Sequence, residues 1–532
     1  MKKFLIAIVI IAALTRLLFL GQFPNGFTGD EAQQGYSAYS LLQTGKDEWG
    51  EVLPLFPRGF GDFKPSLYTY VSIPTVGIFG LTVEAVRLPA ALAGILAVYV
   101  VFLLTRELLK DEKTAILASL FLSISPWHIQ LSRSAFEASL GVLTFSLGLL
   151  FYLKSGARNF ILAAFFWGLT LYSYHSWRAF LIFFILGLLV FYRKKLIVKK
   201  NLVPGVILLI FILPLLVNIN SVLTRSSDVS VFSQKQLEGY FASREGSPLP
   251  PTLDRAFDYK LYFIGSQFVS NYLSYFSPTF YFTSNRSDNT YLNFPYFPLI
   301  PTFEIIFWLL TFYIIITKNF ENRKIFLLWF LLAIIPASLA IGGMNANRAL
   351  TLLPLTAIIS AIGAKILLTS KNWIKYLLGA LLVLNFLMFL HFYFIKLPKT
   401  PPANLRYGYQ EVFKKVLEVE SKYDNVVFSK AFTEPHIFVA FYGKMNPKGF
   451  QAASQDWLRY EKAGRQYIDQ LESWNLGKYL FEDIYWGRKD SLRKNTLVVA
   501  EPKDFTSEVE SILDVKDPKG VVLFRLVPTN VD

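Results

Sequence analysis

The chain has 532 residues, of which 53% are hydrophobic, 17% aromatic and only 17% charged, and its mean hydropathy is +0.40. Soluble domains carry about 25% charged residues, so this composition excludes an ordinary soluble protein and indicates a polytopic membrane protein. The formal net charge of +15 does not indicate nucleic-acid binding, because the Lys and Arg residues cluster in short turns between apolar runs. Cysteine is absent, which excludes disulfides, thiolate metal sites and a cysteine nucleophile.

Apolar runs and the charges between them predict the topology. The runs cover residues 4–20, 66–81, 87–108, 113–129, 135–153, 159–174, 178–192, 203–219, 299–317, 324–341, 347–369 and 373–396. If every run except 66–81 crosses the membrane, the basic turns all fall on the side of Met1, which is the positive-inside pattern. The run 66–81 is short and contains Pro74 and Gly77, so we expect it to lie in the interface or to re-enter. The sequence therefore predicts about 11 transmembrane helices, the first of them retained as a span and not cleaved as a signal peptide.

This topology places two loops and the C-terminal tail on one outer face. The first outer loop covers 21–86 and is predicted to contain interfacial helices, and a long aromatic loop covers 220–298. The tail is more charged, and its short apolar runs predict strands at 425–428, 437–441, 496–499 and 521–524, with helices at about 405–420 and 455–474. The predicted fold is therefore mainly α, with a transmembrane domain at 1–396 and a small soluble α/β domain at 397–532.

Two adjacent acids that follow the first span are the first candidate site residues. Asp30 and Glu31 come directly after a turn flanked by glycines and precede an amphipathic run. Their commonest role at such a place would be to cap a helix or to lie solvated in a loop. Charges near a bilayer are costly unless they act or reach water, so we favour a site. One carboxylate would accept a proton from an acceptor hydroxyl while the other assists.

Two cations in the same part of the sequence complete this pattern. Lys64 lies two residues after Asp62, and Arg87 begins the second span. Anchoring to lipid headgroups at the interface would explain both cations. The functional alternative is a clamp on a phosphate leaving group, in which Lys64 acts as a point charge and Arg87 as a bidentate fork.

Three later outer segments carry the remaining candidates. The turn from Ser125 to Glu137 contains His128 and Arg133. Arg133 and Glu137 are four residues apart, which is the spacing of a simple ion pair at a helix end. His175 lies in a polar, aromatic turn that suits either a sugar ring or an ordinary aromatic belt. Arg348 precedes a late span.

The sequence contains no nucleotide-binding motif in a setting that would support one. The sequence has no GxGxxG fingerprint after a strand and no Walker loop, so a nucleotide-sugar donor has no visible binding site. An activated sugar carried on a lipid fits better.

Together these motifs resemble the polytopic GT-C glycosyltransferases that use lipid-phosphate sugars (glycosyltransferase family 39-like). That group includes the protein O-mannosyltransferases and the bacterial aminoarabinose-to-lipid-A transferases. The resemblance covers roughly residues 1–370 and rests on Gly29-Asp30-Glu31, Lys64-Pro65-Ser66-Leu67-Tyr68, Arg87-Leu88-Pro89, the turn from Ser125 to Glu137, and Arg348-Ala349-Leu350-Thr351-Leu352-Leu353-Pro354. It implies an active site on the outer face, an acid after span one as the base, and inversion at the anomeric carbon. The chain departs from the pattern at Glu137, where many relatives carry Asp, and at Ser66, where they carry a second Pro.

We therefore expect an integral membrane glycosyltransferase whose donor is a monosaccharide on a polyprenyl phosphate. The acceptor would be a protein, a lipid or a glycan, and the remaining partners are membrane lipids. The expected roles are Asp30 as general base with Glu31 assisting, Lys64, Arg87 and Arg348 on the donor phosphate, and Asp62, Arg133, Glu137, His128 and His175 on the substrates. No cofactor is required, because the cations would take the place of a metal, although a divalent cation held by the acids would also fit.

A polytopic lipid or sugar transporter, or a non-catalytic scaffold, is the alternative. Transporters usually place functional charges near the middle of the membrane, often on broken helices. The predicted spans of this chain are nearly free of charge at their centres, and the polar groups crowd one rim. This distribution favours an enzyme.

Overall fold

The structure is a computed structural model that describes residues 1–196, 202–245, 250, 252–253, 259–284, 297–318, 320, 322–399, 406–465, 467–486, 494–505 and 509–529. The chain divides into two compact units. The helical unit consists of Met1–Leu18, Ala90–Ser132 and Phe136–Phe389. The mixed unit consists of Phe19–Pro89, Arg133–Ala135 and Leu390–Asp532, so it combines the first predicted outer loop with the C-terminal tail. The predicted domain division after residue 396 stays a prediction.

The helical unit is a bundle of apolar helices. Its helices are α1 (Lys2–Leu17), most of α4 (Val83–Leu109), α5 (Glu112–Ile124), α6 (Pro126–Arg133), α7 (Ala138–Lys154), α8 (Ala157–Leu171), α9 (His175–Leu196), α10 (Leu202–Val217), α11 (Ile219–Val229), α12 (Gln234–Glu245), α13 (Lys260–Ser274), α14 (Pro278–Phe282), α15 (Ile305–Thr317), α16 (Arg323–Ala333), α17 (Ile335–Ser338), α18 (Leu355–Leu368) and most of α19 (Asn372–His391). Small residues allow the helices to approach closely, as at Gly363, where an added Cβ would lie 1.9 Å from the carbonyl oxygen of Phe307.

Several of these helices are long and apolar enough to cross a bilayer. Among the described residues these are Val83–Leu109, His175–Lys194 and Asn372–Lys399, and α5 with α6 would make a fourth span bent by 57°. Six further apolar helices are shorter, with 10–17 residues each. One of them, α3 (Leu67–Phe79), has 13 residues and is about 20 Å long, which is less than the roughly 30 Å of a hydrocarbon core. The total of about 11 spans and their orientation stay predictions.

The mixed unit contains a six-stranded sheet with helices packed on it. Its helices are α2 (Gly29–Thr44), α3, α20 (Tyr409–Val419), α21 (Pro435–Tyr442), α22 (Pro447–Trp457) and α23 (Arg459–Lys462). Its strands are β1 (Asn425–Ser429), β2 (Ser473–Leu476), β3 (Tyr479–Glu482), β4 (Thr496–Ala500), β5 (Leu513–Lys516) and β6 (Val522–Pro528). The strand order is β2-β3-β1-β4-β6-β5, with β1 parallel to β3 and β4 and the other pairs antiparallel. The strands predicted at 425–428, 496–499 and 521–524 are confirmed within one residue at their starts.

Two predicted elements of the tail are wrong. The run 437–441 is helix α21 and not a strand, and residues 455–474 contain the end of α22, the short α23 and the start of β2. The apolar run misled the prediction because a continuous run of buried residues has no period that separates a strand from a helix. Helix α21 packs against α2, where Gly35 admits Phe441 because an added Cβ would lie 2.9 Å from its ring.

Candidate active site

The candidate site begins at the first turn of α2. The hydroxyl of Thr28 accepts a hydrogen bond from the peptide N–H of Glu31 at 3.2 Å, and the Glu31 carboxylate accepts from the peptide N–H of Thr28 at 3.0 Å. This reciprocal capping box fixes the start of the helix and places both Asp30 and Glu31 at its positive end. Successive helical side chains point about 100° apart, so the two acids enter different surroundings.

Glu31 is buried and all its acceptor capacity is used inside the mixed unit. Its Oε1 accepts from Nε of Arg87 at 2.8 Å and from the peptide N–H of Ala135 at 2.9 Å. Its Oε2 accepts from Nη2 of Arg87 at 3.3 Å in addition to Thr28. The side chains of Glu31 and Arg87 are 4% and 0% exposed. This pair is a buried, hydrogen-bonded ion pair.

Arg87 also has partners for all five of its N–H donors. Besides the two bonds to Glu31, Nη1 donates to the carbonyl oxygens of Leu20 at 3.2 Å and Pro24 at 3.1 Å, and Nη2 donates to that of Gly26 at 2.6 Å. Arg87 therefore holds the loop that precedes α2. A phosphate on this guanidinium would have to displace one of these partners.

Asp30 has a different environment. Its Oδ1 accepts from Nζ of Lys64 at 2.6 Å, and its side chain is 48% exposed. Lys64 also lies 3.4 Å from Oδ1 of Asp62, because a tight turn folds the segment back on itself. In this turn the peptide N–H of Lys64 donates to the carbonyl oxygen of Pro57 at 2.8 Å. The structure thus brings together three of the predicted site residues, Asp30, Asp62 and Lys64.

Glu434 is a fourth member of this cluster that the sequence analysis missed. It precedes α21 with φ 55° and ψ 45°, a left-handed conformation that costs energy for a residue other than glycine. Its Oε2 lies 1.9 Å from the position that a Cβ on Gly29 would occupy, so a larger residue there would have to displace the Glu434 carboxylate. The only local signal was an acid before a proline, and nothing in it indicates a partner at residue 30.

The charge of Glu434 depends on this cluster. Burial raises the pKa of its carboxyl to about 8, and the negative charges of Asp30 and Asp62 act in the same direction. Lys64 and Arg406 oppose this shift without cancelling it. At neutral pH Glu434 is therefore mostly protonated and can donate a hydrogen bond.

Three further predicted residues lie outside this cluster. Arg133 belongs to the mixed unit, where Nη2 donates to the carbonyl oxygens of Phe19 and Phe23 at 3.1 Å and the guanidinium lies over Tyr393 and Phe394. Glu137 belongs to the helical unit, where it is buried directly before α7. His128 is also buried there, with Nδ1 2.8 Å from Nη2 of Arg16.

The contact with Arg16 determines the proton position on His128. A guanidinium can only donate, so Nδ1 of His128 accepts and the ring proton resides on Nε2. Arg16 also donates to the carbonyl oxygens of Leu122 and Ser123 at 3.2 Å and 2.9 Å, at the last turn of α5. The geometry therefore gives Arg16, which the sequence analysis did not select, the role of capping α5 where the chain bends into α6.

His175 and Arg348 line one cavity of the helical unit. This cavity has a volume of about 140 Å³, and the hydroxyls of Tyr174, Ser176 and Ser230 also border it. Nη1 of Arg348 donates to the carbonyl oxygen of Ile341 at 2.5 Å, and within the described part of the chain Arg348 has no carboxylate within ion-pair distance. The cavity combines a cation, an imidazole and hydroxyls, which suits an anionic or polyhydroxylated group.

Metal ligands do not come together in the described residues: no group of three or more His, Cys, Asp or Glu side chains there could hold an ion. The cations of the cluster are Lys64 and, at longer range, Arg406.

The chain is similar to known proteins in part of its sequence and in its fold. Residues 6–193 match the family described as dolichyl-phosphate-mannose-protein mannosyltransferase. The fold is similar to that of ArnT from Cupriavidus metallidurans in its crystal structure bound to undecaprenyl phosphate, with a TM-score of 0.56, 12% identity, and coverage of 98% of this chain and 97% of that chain. The oligosaccharyltransferase of Archaeoglobus fulgidus, tethered with an acceptor peptide, matches with a TM-score of 0.47 and 15% identity over 83% of this chain and 62% of that chain. No curated protein has a significantly similar sequence. The family match spans about a third of the chain and the ArnT-like fold extends over nearly all of it, and both agree with the GT-C resemblance predicted from the motifs.

Proposed function

We propose that this protein transfers a hexose or pentose from a polyprenyl-phosphate-linked donor to an acceptor hydroxyl at the outer face of the membrane. The acceptor hydroxyl belongs to a protein, a lipid or a glycan. The observation that carries this proposal is the Asp30–Lys64 pair, a half-exposed carboxylate that shares its cation with Asp62 and lies beside Glu434. A base and a phosphate-binding cation in direct contact are what the reaction needs.

In the proposed reaction the acceptor oxygen attacks the anomeric carbon and loses its proton to Asp30. The bond between the anomeric carbon and the phosphate oxygen breaks, and the lipid phosphate leaves with the bonding electrons. Lys64 stabilises the charge that develops on this oxygen. The cation supplies this stabilisation without a metal, although a divalent cation would also be compatible with the acids.

The 2.6 Å contact between Lys64 and Asp30 couples donor binding to base activation. A donor phosphate competes with Asp30 for the ammonium group of Lys64. When Lys64 turns to the phosphate, Oδ1 of Asp30 loses its partner and becomes available to accept the proton of the acceptor. The carboxylate is thereby free to accept the proton when the donor is bound.

Glu31 and Arg87 take positioning roles in this proposal, in place of the assisting acid and phosphate clamp expected from the sequence. Their shared bonds hold the capped start of α2 and the loop from Leu20 to Gly26, so they set the direction in which Asp30 points. Glu434, protonated at neutral pH, would donate a hydrogen bond to a sugar hydroxyl. The cavity of His175 and Arg348 would bind a further polar group of the donor or the acceptor.

Lipid analysis tests the proposed donor class. Membrane lipids of cells with and without the gene would be compared by mass spectrometry, and loss of the protein should cause a polyprenyl-phosphate sugar to accumulate. In proteoliposomes, wild-type protein should transfer labelled sugar from this lipid to an acceptor and the Asp30→Asn variant should not. Movement of the intact lipid across the bilayer without transfer would instead support a transporter.

Single-cysteine labelling tests the proposed sidedness, and the cysteine-free chain needs no background substitutions. Position 84, which is exposed in the mixed unit, should react with an impermeant reagent from the outer side, and position 318 should react only from the cytoplasmic side. Labelling of position 84 from the cytoplasm alone would overturn the outer-face assignment.

A further inference from the structure

The sequence of the helical unit contains a long stretch without acidic residues. Between Glu137 and Asp228 the sequence contains no Asp or Glu. The cations in this stretch are Lys154, Arg158, Arg178, Arg193, Lys194, Lys195, Lys199, Lys200 and Arg225. Lys154 is the last residue of α7 and Arg158 is the second residue of α8, so these two cations flank the turn between the helices. Their charge is not compensated by an acid nearby in the sequence.

A cavity of about 320 Å³ lies near the turn between α7 and α8. Its walls come from four helices, α7, α8, α9 and α10, and are almost entirely apolar, with residues such as Leu188 and Leu208. Tyr152 and Phe160, which line it, are each two residues from the basic residues Lys154 and Arg158. The volume is in the range of about 300–1,000 Å³ that is usual for ligand pockets.

The position of this cavity separates it from the predicted substrate residues of the same unit. Helix α7 begins directly after Glu137 and ends at Lys154, and its 17 residues span about 25 Å. The cavity adjoins the Lys154 end of this helix, opposite to Glu137. A ligand in this cavity would therefore lie away from Glu137.

We propose that this cavity binds one acyl chain of an anionic glycerophospholipid, whose phosphate lies against the basic turn of Lys154 and Arg158. The apolar walls accept a hydrocarbon chain, and the two exposed cations complement the head group. Hydrocarbon chains and apolar side chains are about equally apolar inside a bilayer, so selectivity comes from the head group. A cation near a membrane surface contributes about a fivefold change in affinity for an anionic lipid.

Gly205 provides a variant that fills the cavity without a change in charge. It lines the cavity, and a Cβ added to it would have nothing within 4 Å, so Gly205→Leu extends into empty space. Gly379 in α19 has equally open surroundings but does not line the cavity, and Gly379→Leu is the matched control. Lys154→Gln combined with Arg158→Gln removes the charge of the turn and leaves the cavity unchanged.

The experiment measures the thermal unfolding of the full-length protein in a neutral maltoside detergent during titration with dioleoyl phosphatidylglycerol or dioleoyl phosphatidylcholine. Phosphatidylglycerol should raise the unfolding temperature with saturation, because a ligand of the folded state stabilises it, and phosphatidylcholine should not. Gly205→Leu should weaken the apparent affinity for phosphatidylglycerol at least about tenfold, and Gly379→Leu should leave it unchanged. The double Gln variant should weaken it about 25-fold.

Each contrary result overturns the proposal. Equal stabilisation by both lipids excludes recognition of the head group, and wild-type affinity in Gly205→Leu excludes the cavity as the site. Stabilisation by a polyprenyl phosphate alone, lost in Gly205→Leu, would assign the cavity to a carrier lipid. If Gly205→Leu fails to fold, the double Gln variant decides, and an unchanged affinity there also overturns the proposal. These results are independent of sugar transfer.

Discussion

Asp30 and Glu31 are neighbours in the sequence and lie in the same helical turn, yet their ion pairs differ in burial and in the number of hydrogen-bond partners. Glu31 is buried and bonded to Arg87, Thr28 and the backbone at Ala135, so neither oxygen is available to a substrate. Asp30 is half exposed and bonded through one oxygen to Lys64. The comparison separates an acid that holds the fold from an acid that can react.

The energetics of the two pairs follow from their burial. Removing one partner of a buried pair leaves an uncompensated charge and costs about 3–5 kcal/mol. The Asp30 side chain is 48% exposed, so water can replace Lys64 as its partner, and Lys64, whose side chain is 10% exposed, still has Asp62 at 3.4 Å. Loss of the partner is therefore expected to cost less free energy of unfolding at Asp30 than at Glu31. Four predictions would break or sharpen this distinction.

The largest effect is expected for Asp30→Asn on catalysis. Asn keeps the size of the side chain and caps helices about as well as Asp, but it does not act as a base. We expect turnover to fall roughly 10²–10⁴-fold while the free energy of unfolding changes by less than about 1 kcal/mol. Transfer of labelled sugar in proteoliposomes measures the turnover, and thermal unfolding of the same samples measures the change in stability. Near wild-type turnover would remove Asp30 from the mechanism.

Glu31→Gln should show the reverse pattern. The change leaves the guanidinium of Arg87 buried without a negative partner, so we expect the free energy of unfolding to fall by about 3 kcal/mol or more. Turnover per folded molecule should stay within about fivefold of the wild type, since a positioning residue does not transfer the proton. Size-exclusion chromatography gives the amount of folded protein, so turnover per folded molecule can be separated from the loss of stability. A stable but inactive Glu31→Gln protein, together with an active Asp30→Asn protein, would exchange the two roles.

Lys64→Ala should weaken donor binding more than acceptor binding. Losing one charge-assisted contact at a partly buried site costs about 2–3 kcal/mol, which is about 30- to 150-fold in donor affinity. Arg87→Ala is the informative comparison, because it should reduce the amount of folded protein while the folded fraction keeps its donor affinity. Direct binding of the lipid-linked donor measures the donor affinity of both variants. Donor affinity unchanged within about threefold in Lys64→Ala would favour simple interfacial anchoring of this lysine.

The smallest effect concerns Glu434 and pH. Its pKa is raised to about 8, so it is neutral at pH 7 and becomes charged as the pH rises through that value. The charged form attracts Lys64 and competes with the donor phosphate, so the donor KM should rise several-fold between pH 7 and pH 9. Glu434→Gln keeps the neutral form at all pH values and should make the donor KM independent of pH in this range. An identical rise in this variant would assign the titration to another group.

Local patterns in the sequence were sufficient for much of the fold. Apolar runs and basic turns predicted a helical membrane protein, and short apolar runs predicted the strands at 425–428 and 496–499. The cluster of motifs between residues 29 and 89 lies within the segment that matches a mannosyltransferase family model. These features depend on periodicity and composition over a few residues. The apolar run 437–441 was misassigned because a short continuous apolar run is compatible with either a buried strand or a buried helix.

Tertiary structure alone decided which charges meet. The sequence presents Asp30 and Glu31 as equivalent acids and Lys64 and Arg87 as equivalent cations. The fold pairs Glu31 with Arg87 in the interior and leaves Lys64 to Asp30 at a half-exposed position. It also brings Glu434 beside Gly29, although about 400 residues separate them. Contacts at such separations arise from the packing of α21 on α2 and leave no local pattern, so burial, and with it the reactivity of each acid, was not readable from the sequence by itself.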